Sequence, residues 1–143
     1  MLIESILKDK GGTVTTIKAT ATLGMAANLL DNRKIGAVVA LDSDGLIAGV
    51  LSERDIVRQV ARSGARALDM LVSDAMTRGV ITATPAETVD VCLGRMTDRR
   101  VRHLPVVQEG VLRGIISIGD LVKWKIDSVL AEAEAMAAYI KSG

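Results

Sequence analysis

Read from the N-terminus, the chain alternates short β-branched runs with stretches whose apolar residues fall at helical spacing. Val14 to Ile17, rich in Thr and β-branched residues, predicts a short strand. From Thr22 to Asn32, residues Leu23, Ala26, Ala27 and Leu30 share one helical face. Two strands follow, Ala37 to Leu41 and Leu46 to Leu51, joined by a turn at Asp44-Gly45, and a helix starts after Ser52. The order then returns. Val80 to Thr84 predicts a strand, Val89, Leu93 and Met96 a helical stripe, and Leu104 to Val107 with Val111 to Ile116 two strands around Glu109-Gly110. A helix starts after Ser117. Thr84-Pro85-Ala86-Glu87 predicts a capped start for the stripe helix, with Pro in the first helical position and Glu three residues after Thr. Leu2 to Leu7 predicts a further short helix, and Ser63 to Asp74 a linker.

The chain is therefore written twice. Val14-Thr15-Thr16 aligns with Val80-Ile81-Thr82 at an offset of 66, which also pairs Thr22 with Thr88 and Arg33 with Arg99. Beyond Asp44 the offset becomes 65, so that Gly45, Gly49, Ser52 and Asp55 fall on Gly110, Gly114, Ser117 and Asp120. Each copy is β-α-β-β-α, an α/β chain of the α+β kind. Small sheets of this sort cannot bury both faces alone, so the two repeats are expected to pack about a pseudo-twofold axis with a cleft between them. The expected division is an N-terminal helix and first repeat over 1–66, a linker and second repeat over 67–126, and a C-terminal helix over 127–143.

Composition narrows the function. The 143 residues contain 18 Lys plus Arg against 17 Asp plus Glu, so no global field draws the protein to nucleic acid or membrane, and any anion site must be local. There is no Phe, and Trp124 and Tyr139 are the aromatics, which leaves no rings on which bases could stack. A lone Cys92 makes no intramolecular disulfide, and its apolar neighbours fit packing better than reactivity. The start lacks a basic segment followed by a long apolar one, and the longest apolar stretch, Ile35 to Leu41, is far short of the ~20 residues that span a bilayer. A cytoplasmic location is the expectation. One His and one Cys leave no nucleophile-base pair or metal cluster, so no enzyme and no catalytic cofactor is expected.

The candidate chemistry lies in Gly49-Val50-Leu51-Ser52-Glu53-Arg54-Asp55 and Gly114-Ile115-Ile116-Ser117-Ile118-Gly119-Asp120. Both read Gly, two apolar residues, Ser, any two, Asp. A strand that ends in Ser at a helix N-terminus presents backbone N–H groups and the positive end of the helix dipole, which suits a phosphate or ribose oxygen. An Asp in the first turn can accept both hydroxyls of a ribose. Ser-x-x-Asp is also a helix cap, and capping alone accounts for a single occurrence.

With these motifs and Arg102-His103-Leu104-Pro105-Val106, residues 10 to 126 resemble the CBS-domain family, in which two β-α-β-β-α repeats form a Bateman module. The resemblance implies an adenosine-containing ligand such as AMP, ADP, ATP, NAD or S-adenosylmethionine, bound in the cleft to regulate a linked or partner protein. It implies that Asp55 and Asp120 hold the riboses of two related sites, with Ser52 and Ser117 near the sugar or phosphate. Thr15, Ile35 and Gly36 would face the adenine of the Asp120 site, and Ile81 and Val101 that of the Asp55 site. Arg102 would meet phosphate, with His103 beside it. The sites are expected to be unequal, because the first copy has Gly36-Ala37 where the second has Arg102-His103, and Arg54 stands where the second motif has Gly119.

Simpler roles stay open for several of these residues. His103 beside Leu104 also fits a structural position, and Arg54, Arg58 and Arg62 also fit a solvated stripe. Arg33-Lys34 and Arg99-Arg100 suit the C-terminal ends of helices. From Val122 a heptad-like stripe, Val122, Ile126, Val129, Ala133, Met136 and Ile140, fits either the chain's own core or, as the resemblance favours, a homodimer contact. The leading expectation is an adenine-nucleotide-sensing module acting on an unknown regulated protein. The alternative is a homodimeric adapter whose clefts have lost their ligands.

Overall fold

The apolar helical stripes and the paired strands form in both repeats, and the Thr and β-branched run forms a strand in the first. In the computed structural model, which describes residues 1–11 and 14–142, they build two units, Thr13–Thr82 and Met1–Gly12 with Ala83–Gly143. The N-terminal helix thus groups with second-repeat elements and the linker with the first repeat, whereas the sequence division followed chain order.

In the first unit, β1 (Thr16–Lys18) lies parallel to β2 (Ala37–Leu41), which pairs antiparallel with β3 (Ile47–Ser52). The first strand starts two residues later than expected. Its register is set by its partner, with Thr16 opposite Val39 and Lys18 opposite Leu41, the last residue of β2. Helix α2 (Leu23–Arg33) is capped by Thr22, whose side chain accepts from the Met25 amide, and ends on Lys34 in a left-handed conformation at φ 53°. Its inward residues Leu23, Ala26 and Leu30 pack with Val38, Ala40 and Leu51 of the sheet, Ile56 of α3 (Glu53–Ser63), and Val72 and Met76. Fully burying an aliphatic side chain of this kind stabilises by about 1.5–3 kcal/mol.

The linker is ordered. A 3₁₀ turn over Gly64–Asp69 leads into α4 (Val72–Ala75), and the amides of Leu23, Val72 and Ser73 donate to the carbonyls of Met70, Ala21 and Ala19. Gly49 faces the residues that follow: a Cβ added there would stand 2.7 Å from the Met76 side chain and 2.7 Å from the Thr77 carbonyl oxygen. Only glycine permits that approach.

In the second unit, β4 (His103–Gln108) pairs antiparallel with β5 (Val111–Ser117). The expected strand Val80 to Thr84 does not form. Ala83 makes a single parallel bridge to Val106, with its amide donating to the Pro105 carbonyl and its carbonyl accepting from the Val107 amide, both at 2.9 Å. The chain's two prolines cut this ladder short. Pro105 has no N–H to donate one step earlier, and Pro85 has none one step later. The matching bridge in the first repeat, Ile17 to Ala40, has no proline beside it and grows into a strand.

The helix start predicted at Thr84 to Glu87 is also displaced. The Thr84 amide donates to Glu87 Oε1 at 2.9 Å and the Glu87 amide to the Thr84 carbonyl at 3.2 Å, but this closes a turn. Helix α5 (Val89–Arg99) begins after Thr88, whose hydroxyl oxygen accepts from the Val91 amide, as Thr22 does for α2. Arg95 of α5 reaches back to donate to both carboxylate oxygens of Glu87, tying the turn to the helix.

Helix α1 (Ile3–Lys10) is longer than expected and is anchored through the fully buried Ile3 and Ile6 and through the Ile3 amide on the Glu87 carbonyl. It lies on β5, where the Leu7 side chain fills the space that a Cβ on Gly114 would take. The expected repeat helix and separate C-terminal helix are one continuous α6 (Ile118–Ser142), which packs on β5 and α5 through its first turns. Beyond Leu121 its apolar stripe is exposed: Val122, Ile126, Val129, Met136 and Ile140 lie at the surface, so the stripe does not rest on the chain's own core.

Candidate functional site

Each repeat builds the same corner. In the first, β3 ends at Ser52, opposite Ala37 at the start of β2, and the backbone of Ser52 stays extended at φ −106°, ψ 162° before α3 begins. The Ser52 side chain accepts from the Asp55 amide at 3.3 Å. Asp55 returns the contact, with Oδ2 accepting from the Ser52 amide at 2.8 Å and the Ser52 hydroxyl at 3.1 Å. Asp55 is 8% exposed, and among the described residues its Oδ1 has one long contact, from Arg58 at 3.5 Å.

The second corner repeats the first in outline. The Asp120 amide donates to the Ser117 hydroxyl at 3.1 Å, and Oδ2 of Asp120 accepts from the Ser117 amide at 2.8 Å. The strand preceding each motif strand is fastened in the same way: the Glu53 amide donates to the Gly36 carbonyl at 2.9 Å, and the Ile118 amide to the Arg102 carbonyl at 2.8 Å.

What differs is the charge on the carboxylate. Lys10, at the end of α1, places its ammonium 2.6 Å from Asp120 Oδ2 and 3.0 Å from the Ile115 carbonyl oxygen. Burial pushes the Asp120 carboxyl up, but the hydrogen bonds and charge of Lys10, with the Ser117 amide, outweigh it and hold the group below the ordinary carboxylate value. It is ionised at neutral pH. Oδ1 of Asp120 accepts from no group among the described residues, so both corners keep one carboxylate oxygen able to take a further donor.

Within the first unit the structure brings Ser52, Asp55, Ile35 and Gly36 to one end of the sheet, with Thr15 just before β1. Ile35 packs at the edge of the core and Thr15 is half-buried. Arg54 is exposed and makes no hydrogen bond among the described residues; Arg58 is the stripe member that reaches Asp55. Within the second unit Val101, Arg102, His103, Ser117, Gly119 and Asp120 gather at the matching end. His103 lies opposite Ser117 and is half-buried, Arg102 and Gly119 are exposed, and Val101 is half-buried with its amide on the Met96 carbonyl. Ile81, of the first unit, is half-buried.

Lys10 is the residue that sequence reasoning missed. It lies 110 positions from Asp120, and no local pattern connects the two. Among the described residues no group of His, Cys, Asp and Glu could hold a metal ion, and no helix is long and apolar enough to cross a membrane.

Comparison with known proteins agrees with this architecture. A CBS-domain containing protein from Agrobacterium tumefaciens superposes with a TM-score of 0.81 at 44% identity, over 85% of this chain and 91% of that one. A CBS domain protein from Pyrobaculum aerophilum, solved in complex with AMP, superposes with a TM-score of 0.75 at 30% identity, over 84% and 89% of the two chains. A mitochondrial CBS domain-containing protein of Arabidopsis thaliana is 30% identical over 99% of this chain and 72% of its own length. The family model described as the CBS domain matches twice, over residues 12–62 and 72–127, the two halves of the internal repeat. Two matches covering most of the sequence, on a mixed α/β fold shared with solved CBS proteins, make the chain a member of the CBS-domain family.

Proposed function

We propose that the chain is a non-catalytic regulatory module that binds an adenosine-containing ligand, AMP, ADP, ATP or NAD. The observation that carries this reading is the duplicated corner, in which a carboxylate is fixed at a strand-to-helix junction by its own cap and retains an oxygen for further donors. A ribose offers two adjacent hydroxyls, which suit such an acceptor. The AMP complex of the Pyrobaculum relative supports the ligand class. In this reading Asp55 and Asp120 take the sugars, Ser52 and Ser117 lie near the sugar or phosphate, and Arg102 with His103 supplies charge toward phosphate in one site only. Thr15, Ile35, Gly36, Ile81 and Val101 line the bases, and Arg54 and Gly119 make the two motifs unequal.

Such a module acts by binding one conformation of the assembly better than another, and the size of that difference limits the response of its partner. The experiment is calorimetric titration with AMP, ATP, NAD and S-adenosylmethionine, repeated on Asp55→Ala and Asp120→Ala. Saturable heat that each substitution reduces is the expected outcome.

The exposed stripe of α6 favours a second reading, a homodimeric adapter that binds no nucleotide. Silence with all four ligands, combined with a dimer that Val129→Glu dissociates, would select it.

A further inference from the structure

The carboxylate of the second corner is already occupied by a cation that the repeat does not supply. Lys10 belongs to α1, and its ammonium shares Asp120 Oδ2 with the Ser117 amide. Among the described residues the first corner has no such partner: Asp55 Oδ1 meets Arg58 at 3.5 Å from its own helix, and Oδ2 is engaged by Ser52.

We propose that Lys10 is an internal competitor for Asp120, a latch that a ribose must displace to use the whole carboxylate. The inference rests on the ribose role proposed for Asp120 and adds its regulation. A ribose that grips both oxygens of the carboxylate meets two donors already on Oδ2 in either corner, but only in the second is one of them a cation, which also draws on the charge that Oδ1 offers. A charge-assisted contact is roughly twice as strong as a neutral one, so a hydroxyl replaces it at a cost. The latch is nonetheless open to exchange. The Lys10 and Asp120 side chains are 38% and 25% exposed, and ion pairs so placed are weak and screened by salt.

Release is confined to the end of α1. Ile3 and Ile6 are fully buried, and the Ile3 and Glu4 amides donate to the Glu87 and Pro85 carbonyls, so the first turns stay fixed while the last turn loses its tie to Asp120 and Ile115.

The test uses the full chain carrying Asp55→Asn, which keeps a capping side chain but weakens the first site, so that the Asp120 site dominates the titration. Adenosine, which is neutral, and AMP are titrated into this protein with and without Lys10→Met. The latch predicts that Lys10→Met tightens adenosine binding by up to about fivefold, the range expected for losing one partly exposed ion pair. It also predicts that saturating adenosine increases acetylation of the Lys10 amine by acetic anhydride, read by peptide mass spectrometry. Weaker or unchanged adenosine binding in Lys10→Met, or Lys10 protected by the ligand, overturns the latch while leaving the nucleotide reading intact. Absence of binding by either compound to any of these proteins and to the parent chain overturns both.

Discussion

Asp55 and Asp120 occupy matching positions and make the same cap, yet one is almost wholly buried against its own helix and the other is held by a lysine from a distant segment. The difference has a pH signature. Because the folded state holds the Asp120 carboxyl below its ordinary value, its pairing contributes stability above the unfolded carboxylate range, about pH 4, and loses it as pH falls through the lower folded value. Lys10→Met is therefore expected to lower the melting temperature slightly at pH 7, by the equivalent of up to about 1 kcal/mol for a partly exposed pair. Thermal melts across pH 2 to 7 should show the two proteins converging at the acid end; a gap that persists there would assign the loss to packing. At this scale the sequence was a partial guide. The Ser-x-x-Asp motifs gave their own caps, since a cap is made by residues three apart, but Lys10 was invisible because its contact depends on where α1 lies against β5.

Helices and strands were legible where a local period decided them and were displaced where a partner did. Ala37–Leu41 forms as expected, and Thr22 and Thr88 cap their helices in register. The second repeat nevertheless lacks the first strand of its twin, since two prolines remove the donors that would extend the bridge at Ala83. Thr84 and Glu87 bond reciprocally in part, as a capping box requires, but around a turn, because Thr88 takes the cap. The aligned glycines of the motif strands show the same divergence within one repeat pattern. A Cβ on Gly49 would meet a backbone oxygen and the middle of the Met76 side chain, both at 2.7 Å, whereas one on Gly114 would meet the end of the Leu7 side chain, which can turn away. Gly49→Ala should destabilise by about 1–3 kcal/mol, as overpacking does, and Gly114→Ala by clearly less. Urea denaturation of the two variants measures the difference, and equal losses would contradict the packing described for α1 and the chain after α4.

At the scale of the molecule, the stripe on α6 is an apolar feature that the described residues do not cover. Its spacing was readable in the sequence, but whether it faced the core depended on how far α6 runs past β5. The proposed pairing of two copies through this stripe predicts that Val129→Glu, which places a charge among exposed Ile126, Leu130 and Met136, converts a dimer to a monomer in sedimentation velocity without lowering helix content. An unchanged sedimentation coefficient would remove α6 from the interface. Ligand binding is the more central matter, because capping and the Lys10 contact do not by themselves account for the same carboxylate corner standing in both repeats. Calorimetric titration of AMP into the parent chain and into the Asp55→Ala, Asp120→Ala double variant tests this most directly. The account predicts saturable heat for the parent and none for the folded double variant, and it is contradicted if the variant binds AMP as well as the parent does.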